Sequence, residues 1–363
     1  MKLVANELYF SKKQNITCYV KTTKGLGVSI GWNEYQVVHL ECCIGYAGSG
    51  EGSMTLLTSL VVGLSFLIAS FEGLLIGSFN IQTFGTTKYA KEDVMGYIDK
   101  ILSRYDIVLV QEIRDSSGVI IPGMLDRLNS NGGEWAVKYS ESLGRSTYKE
   151  QYAYYYRKDR ITVESSYQYD DGEDDGTDAF SREPFGILIN SDITGDLKKF
   201  GILGVHIAPE EAVEELNALV DVFTAARENW GVDDVMIMGD FNADCTYVSD
   251  EKKEQLDLRT DNTYLWLIGD DVDTTVSNTN CAYDRMVLIG EELKAAIKTG
   301  SAKEFRYDDV YSLDAELAGE ISDHYPVEVE LLEGNSATQS AGLISPRLIL
   351  SITLWYILKA VCA

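Results

Sequence analysis

The chain has 363 residues, 45% of them hydrophobic, enough to bury a large core in one or two domains. Its 31 basic and 57 acidic residues leave a net charge of -26, which excludes nucleic-acid binding through a general basic face and leaves that task to a few local cations. Six cysteines, Cys18, Cys42, Cys43, Cys245, Cys281 and Cys362, include no C-x-x-C pair, which argues against a thiolate metal site.

Residues 1–53 differ from the rest of the chain. They hold its only N-glycosylation sequon, Asn15-Ile16-Thr17, and the adjacent Cys42-Cys43, show no clear periodicity, and receive no role. Met54 opens an uncharged, mostly apolar run from Thr55 to Phe71, whose length suits a secretory h-region better than a spanning helix. The expectation is therefore a signal peptide over 54–73 cleaved near Gly73, with 1–53 an upstream extension. A signal anchor behind a short N-terminal domain is the competing reading.

The next segments share one pattern: a short apolar strand with a polar group at one end. Leu75 to Phe79 runs into Asn80, Ile107 to Val110 into Gln111-Glu112, Phe200 to Val205 into His206, and Val235 to Gly239 into Asp240. Later the order reverses, Asp284-Arg285 preceding Met286 to Ile289 and Asp323-His324 preceding the strand around Val327. If these ends meet, the last strands run antiparallel to the others, and a mixed sheet or pair of sheets has one polar rim. Between the strands, Val94, Tyr97, Ile98, Ile101 and Leu102 mark an amphipathic helix over about 91–104. Pro209, followed by Glu210 and Glu211, opens a second helix that buries Val213, Leu216, Val220 and Phe223 and ends near Gly231. Both helices read as packing elements without chemistry.

Asp170 to Asp178 is an acidic, glycine-containing loop; such runs are usually solvated, with a calcium site as the second reading. Cys245 and Cys281 lie near the polar rim, as one disulfide if the chain is secreted or as two buried thiols. After Leu332, residues 334–363 run from small residues through a polar spacer to an apolar end, the order of a lipid-anchor attachment signal; Lys359 interrupts that end, and a tail anchor or amphipathic helix is the alternative.

Only three histidines occur, His39, His206 and His324, and two sit on the rim. A lone histidine at a strand end is usually structural. Two of them, beside the acids Glu112, Asp240, Asp284 and Asp323 and the amides Asn80 and Asn242, supply what phosphodiester hydrolysis needs: a base, an acid or metal, and donors for the charge on phosphorus. Gly-Asp-Phe-Asn alone would be only a turn.

The segments Ser78 to Gly85, Val110 to Asp115, Tyr148-Lys149-Glu150, Tyr167 to Gly172, Ser181 to Pro184, His206 to Pro209, Gly239 to Cys245, Cys281 to Arg285 and Ile321 to Pro326 together resemble the deoxyribonuclease I family, in its order and spacing. The resemblance covers about 74–332, so 74–333 is taken as the catalytic domain. It implies a four-layer α/β sandwich of two packed mixed β-sheets flanked by helices, with the site at one sheet edge. It implies a secreted or cell-surface endonuclease that hydrolyses DNA with little sequence preference, leaves 5′-phosphates, and uses Mg2+ or Mn2+ together with Ca2+. By position Glu112 would ligate the catalytic metal with Asn80, Asp240 and Asp323 nearby. Glu150 would pair with His206 and Asp284 with His324, the histidines dividing acid and base work, while Asn242 holds the phosphate. Arg114 and Tyr148 would enter the minor groove and Arg182 would contact phosphate. Structural calcium maps onto Asp171, Asp178 and Glu183, and onto Asp273, Thr275 and Thr279; Cys245 and Cys281 match the family's larger disulfide.

Two departures stand out. The family's smaller disulfide is missing from the acidic loop, which should then lean more on calcium. Gln82 replaces a usual arginine, which together with the net charge implies weaker DNA binding. A monomer is expected, and no actin-contact residues can be matched. Relatives that cleave lipid or inositol phosphates share the fold, but the Arg114, Tyr148 and Arg182 set favours DNA. A silent binding protein is disfavoured because the core residues are all present.

Overall fold

The computed structural model describes residues 16–23, 37–44, 73–172 and 178–334, the first two segments by their backbone alone. The expected signal segment and C-terminal anchor signal, and Asn15, lie outside the described residues. Two compact units divide between Phe71 and Glu72. In the first, β1 (Ile16–Thr23) and β2 (Val37–Ile44) pair antiparallel, with Cys18 opposite Cys42.

The second unit opens with β3 (Leu74–Phe84), α1 (Thr86–Tyr89), α2 (Glu92–Leu102), β4 (Ile107–Ile113), α3 (Ile120–Ser130), β5 (Trp135–Tyr139), β6 (Gln151–Arg157), β7 (Thr162–Gln168) and β8 (Phe185–Asn190). It continues through β9 (Lys199–His206), α4 (Ala212–Trp230), β10 (Val235–Asp240), α5 (Asp250–Lys253), α6 (Asp257–Thr260), β11 (Leu265–Trp266) and β12 (Asp284–Ile289). The last elements are α7 (Glu291–Ala296), β13 (Lys303–Glu304), α8 (Tyr307–Tyr311), α9 (Ala315–Ile321) and β14 (Val327–Leu331). Two six-stranded mixed sheets result, in the orders β11-β12-β10-β9-β8-β7 and β13-β14-β3-β4-β6-β5.

Period-two alternation builds the layers. In β4, Ile107 and Leu109 enter the core shared by both sheets, while Val108 and Val110 face the core under α2 and α3. In β10, Met236 and Met238 join the shared core, while Val235 and Ile237 pack with the buried face of α4. Helices, sheet, sheet and helices make four layers, as the family resemblance implies. The expected reversal of direction also holds: β10 runs parallel to β9 but antiparallel to β12, and β3 parallel to β4 but antiparallel to β14.

The first helix is close to expectation. The second needs correction: Pro209–Glu211 forms a separate 3-10 turn, and α4 begins only at Ala212. Its buried stripe is therefore Leu216, Leu219, Val222, Phe223 and Ala226, with Val213 and Val220 only half-buried at its border. Gly231, at φ 64°, ends it in the left-handed conformation that glycine adopts without a Cβ penalty.

Between the sheets, Gln111 acts as a polar rivet. From β4 its Nε2 donates to Val205 O at 2.5 Å in β9, and its Oε1 accepts from Asp240 N at 3.2 Å in β10. The approach needs Gly239: at φ 144°, an added Cβ would lie 2.0 Å from Val205 O and 3.0 Å from Gln111 Nε2.

Candidate active site

Strand register brings the rim together before any side chain is considered. Asp240, the last residue of β10, lies opposite His206 in β9 and opposite Asp284 in β12. His324 bridges to Thr275 just before β14, and Glu150 to Leu143 just before β6. Two histidine–carboxylate pairs form: His206 Nδ1 lies 2.8 Å from Glu150 Oε2, and His324 Nδ1 lies 2.7 Å from Asp284 Oδ2. The other ring nitrogens converge, each Nε2 being 3.6 Å from Asp240 Oδ2.

Their electrostatics differ. Burial alone would lower the His324 pKa, but Asp284 and Asp240 outweigh it and hold the imidazole well above its ordinary value. Burial pushes Asp284 up to about 6 against the opposing pull of His324, so the two share one proton. We place it on the imidazole, which faces Asp240 and Asp323 as well as Asp284. Burial would also raise Glu150, but its bond to His206 and the charge of Arg182 leave it lowered, so it orients His206 as a carboxylate.

Around Asp240 lie the expected metal residues. Asn80 Nδ2 donates to Glu112 Oε1 at 3.0 Å and to Asp240 Oδ2 at 3.1 Å, while its Oδ1 accepts from Gln82 N at 2.9 Å. Asn80 therefore links two carboxylates through its amino group rather than presenting its oxygen. Glu112 Oε2 accepts from Thr83 N at 2.6 Å, and Asp323 Oδ2 from Gln82 Nε2 at 2.8 Å. Asp323 Oδ1 and Asp284 Oδ1 are buried without a hydrogen-bond partner. Among the described residues, the rim groups whose ligand atoms lie within 4.8 Å of one another are Asp240, Asp284 and His324, and Glu112 and Asp323 are not in that set. The carboxylates and the orphaned Asp323 Oδ1 suit a hard divalent cation, while Asn80 braces two of them and offers no oxygen. Strain collects here too: five of the six non-glycine residues with positive φ among the described residues, Gln82, Thr83, Glu112, Asn242 and Cys245, lie in or beside this rim.

Asn242 N donates to Asp240 Oδ1 at 3.0 Å and its Nδ2 to Ile207 O at 2.9 Å. Arg182 Nε donates to His206 O at 3.0 Å and sits 3.7 Å from Glu150, while its Nη2 is buried without a partner. Arg114 stacks on Tyr148, its guanidinium carbon 3.2 Å from the ring centroid, and Tyr148 stands 44% exposed at the lip.

The two expected calcium groups differ in kind. Carboxylate oxygens of Asp171, Asp178 and Glu183 lie within 4.8 Å of one another, and Asp171 Oδ1 is buried without a hydrogen-bond partner, which fits a cation. Arg145 reaches the same cluster at 3.2 Å from Asp178. Asp273, Thr275 and Thr279 form a knot satisfied from within, with Thr275 Oγ1 at 2.7 Å from Asp273 Oδ1 and 3.0 Å from Thr279 O. Cys245 and Cys281 form a disulfide across 36 residues, so the reading of two free thiols is set aside. Residues 173–177 lie outside the described residues.

Residues 77–324 match the model of the Endonuclease/Exonuclease/phosphatase family. The chain is 46% identical over 279 residues to deoxyribonuclease-1 of Bos taurus, covering 76% of this chain and 99% of that protein. It belongs to the deoxyribonuclease I group of this family. The deoxyribonuclease-1 of Homo sapiens is also 46% identical, over 277 residues, covering 76% of this chain and 98% of that one. Among solved structures, the human Nocturnin catalytic domain with bound sulfate superimposes with a TM-score of 0.52 at 14% identity, covering 71% of this chain and 93% of that one, a likeness of fold alone.

Several residues that shape this family site escape a sequence reading. Tyr152 OH accepts from His206 N at 2.8 Å, and Ser322 Oγ donates to Asn80 O at 2.7 Å and accepts from His324 N at 3.1 Å. Glu215, fully buried in α4, accepts from Ser181 N at 2.9 Å and Ala208 N at 3.1 Å, tying together the segments that carry Arg182 and His206. Helical spacing is the signal that could have found Glu215, three residues after Ala212 and four before Leu219 on the buried stripe, where its exposed neighbour Glu214 is not. Its helix is thus more than packing.

Proposed function

We propose that the chain is an endonuclease that hydrolyses DNA phosphodiester bonds by in-line attack of water, leaves 5′-phosphate ends and has little sequence preference. The carrying observation is the convergence of His206 and His324, each backed by its own carboxylate, on one oxygen of Asp240. Magnesium or manganese, held by Glu112 with Asn80, Asp240 and Asp323 nearby, would supply charge neutralisation at the phosphate. His206, oriented by Glu150, takes the proton of the attacking water. His324, kept protonated by Asp284 and Asp240, faces the developing charge and donates to the leaving oxygen. Asn242 keeps a second amide hydrogen for a phosphate oxygen, and Arg182 offers the guanidinium N–H groups of Nη2. Arg114 and Tyr148 form a cationic, aromatic wedge of the type that enters a minor groove.

The same reading assigns calcium to the Asp171, Asp178 and Glu183 cluster and to the Asp273, Thr275 and Thr279 knot. It places a monomeric enzyme outside the cell, secreted or held at the surface by its C-terminal tail; the disulfide supports an oxidising compartment. The test is nicking of supercoiled plasmid by the full chain with magnesium and calcium. His206→Ala and His324→Ala should each slow nicking by about 100-fold to 10,000-fold, and chelator should stop it. A folded wild-type chain that nicks no DNA would sink the proposal and turn attention to lipid phosphodiesters.

A further inference from the structure

Lys88, in the short helix α1, lies beside the site without contacting any group assigned to the reaction. Its half-buried ammonium donates to Ile81 O at 3.1 Å, Gln82 O at 2.7 Å and Ile321 O at 2.8 Å. An ammonium has three donors, and all are taken up by main-chain carbonyls. The acids Glu112 and Asp323 are near enough to act on its charge, yet neither accepts a bond from it.

Two of these carbonyls belong to a kink. Gln82 and Thr83 have φ 23° and 52°, conformations that side chains rarely adopt unless surrounding structure enforces them. The kink aims Thr83 N at Glu112 Oε2 and Gln82 Nε2 at Asp323 Oδ2. The third carbonyl, Ile321 O, opens the segment Ser322-Asp323-His324, whose Ser322 hydroxyl returns to Asn80 O. One cation thus ties the end of β3 to a segment about 240 residues further on; the expected metal residues Asn80 and Asp323 lie on these two pieces, and Glu112, from β4, is bonded to the kink through Thr83 N.

We infer that Lys88 is a positioning residue for the metal site: its ammonium clamps the kink at 81–83 to the turn at 321 and so sets the spacing of Glu112 and Asp323. This rests on the reading of Glu112, Asn80, Asp240 and Asp323 as the metal site. The sign of the effect separates positioning from charge. By Coulomb's law, removing a cation beside an acidic site tightens metal binding. Releasing the clamp leaves three carbonyls unpaired, relaxes the kink and lets the carboxylates spread, which weakens binding, as loss of an outer partner of a metal ligand does by about 10-fold to 100-fold.

The experiment is Mn2+ binding to the full chain, followed by the electron paramagnetic resonance of free Mn2+ in excess calcium, without DNA. Wild type, Lys88→Met, Lys88→Arg and Glu112→Gln are compared, with thermal unfolding as the check on folding. Binding that is about 10-fold to 100-fold weaker in Lys88→Met, and at least partly restored in Lys88→Arg, supports the inference. Binding as tight as wild type or tighter in folded Lys88→Met overturns it, provided Glu112→Gln weakens binding. If Glu112→Gln leaves binding unchanged, the metal reading itself fails and the inference falls with it. Should Lys88→Met not fold, Lys88→Gln, neutral but with two amide donors, decides by the same criterion: weaker supports, equal or tighter overturns.

Discussion

At the scale of single residues, the site depends on carboxylates whose roles are set by their surroundings. Asp284 and Glu150 both back a histidine, yet burial raises one while His206 and Arg182 lower the other. Glu215 is a third case. Burial raises its pKa from 4.5 to about 7, against two backbone N–H donors that favour the ionised form. Because the folded pKa lies above the unfolded one, the native state holds the proton more tightly between about pH 4.5 and 7. Stability from this residue is fully present below that window and is lost as pH rises through it, by on the order of 3 kcal/mol. Glu215→Gln removes the titration. The stability of wild type minus that of the variant should therefore fall between pH 4.5 and 7, as urea unfolding across this range would show; a constant difference would refute the account.

At the scale of elements, the strand ends behave as their sequences suggest, and α4 shows where pattern reading slips. Pro209 opens a turn rather than the helix, so the helical stripe runs through Leu219 and Val222 instead of Val220. Leu219→Ala should cost about 2–5 kcal/mol because it empties a fully buried position facing β9 and β10. Val220→Ala, at the border of the stripe, should cost under about 1 kcal/mol. Unfolding midpoints of the two variants distinguish the stripes, and equal losses would restore the simpler pattern. The strand ends were legible because an apolar run that stops at an acid, amide or imidazole is a local signal. The partners of Lys88 and Glu215 were not legible, because they are main-chain groups on segments distant in sequence or across a loop.

At the scale of the molecule, long connections return the chain between the strands of the two sheets. Cys245–Cys281 closes one of them across 36 residues. Replacing both cysteines by serine should lower stability by about 3–4 kcal/mol through the greater freedom of the unfolded chain. The disulfide lies next to Asp244, which accepts from Ala282 N at 2.7 Å, so the local loop is held twice. The double variant should thus unfold at lower temperature while retaining nicking below its transition; lost activity in the folded variant would show that the disulfide also shapes the site. The sequence by itself determined which apolar runs form strands and the chemical types at their ends, since these depend on local composition; the reversal of the last strands followed on condition that those ends meet, and the four layers were implied by the family resemblance. Only the tertiary structure decided that Asp240 stands between both histidines, that Asn80 turns its amino group to the carboxylates, and that Lys88 joins β3 to residue 321. Those facts depend on register and on contacts between segments far apart in the chain, where no local rule operates.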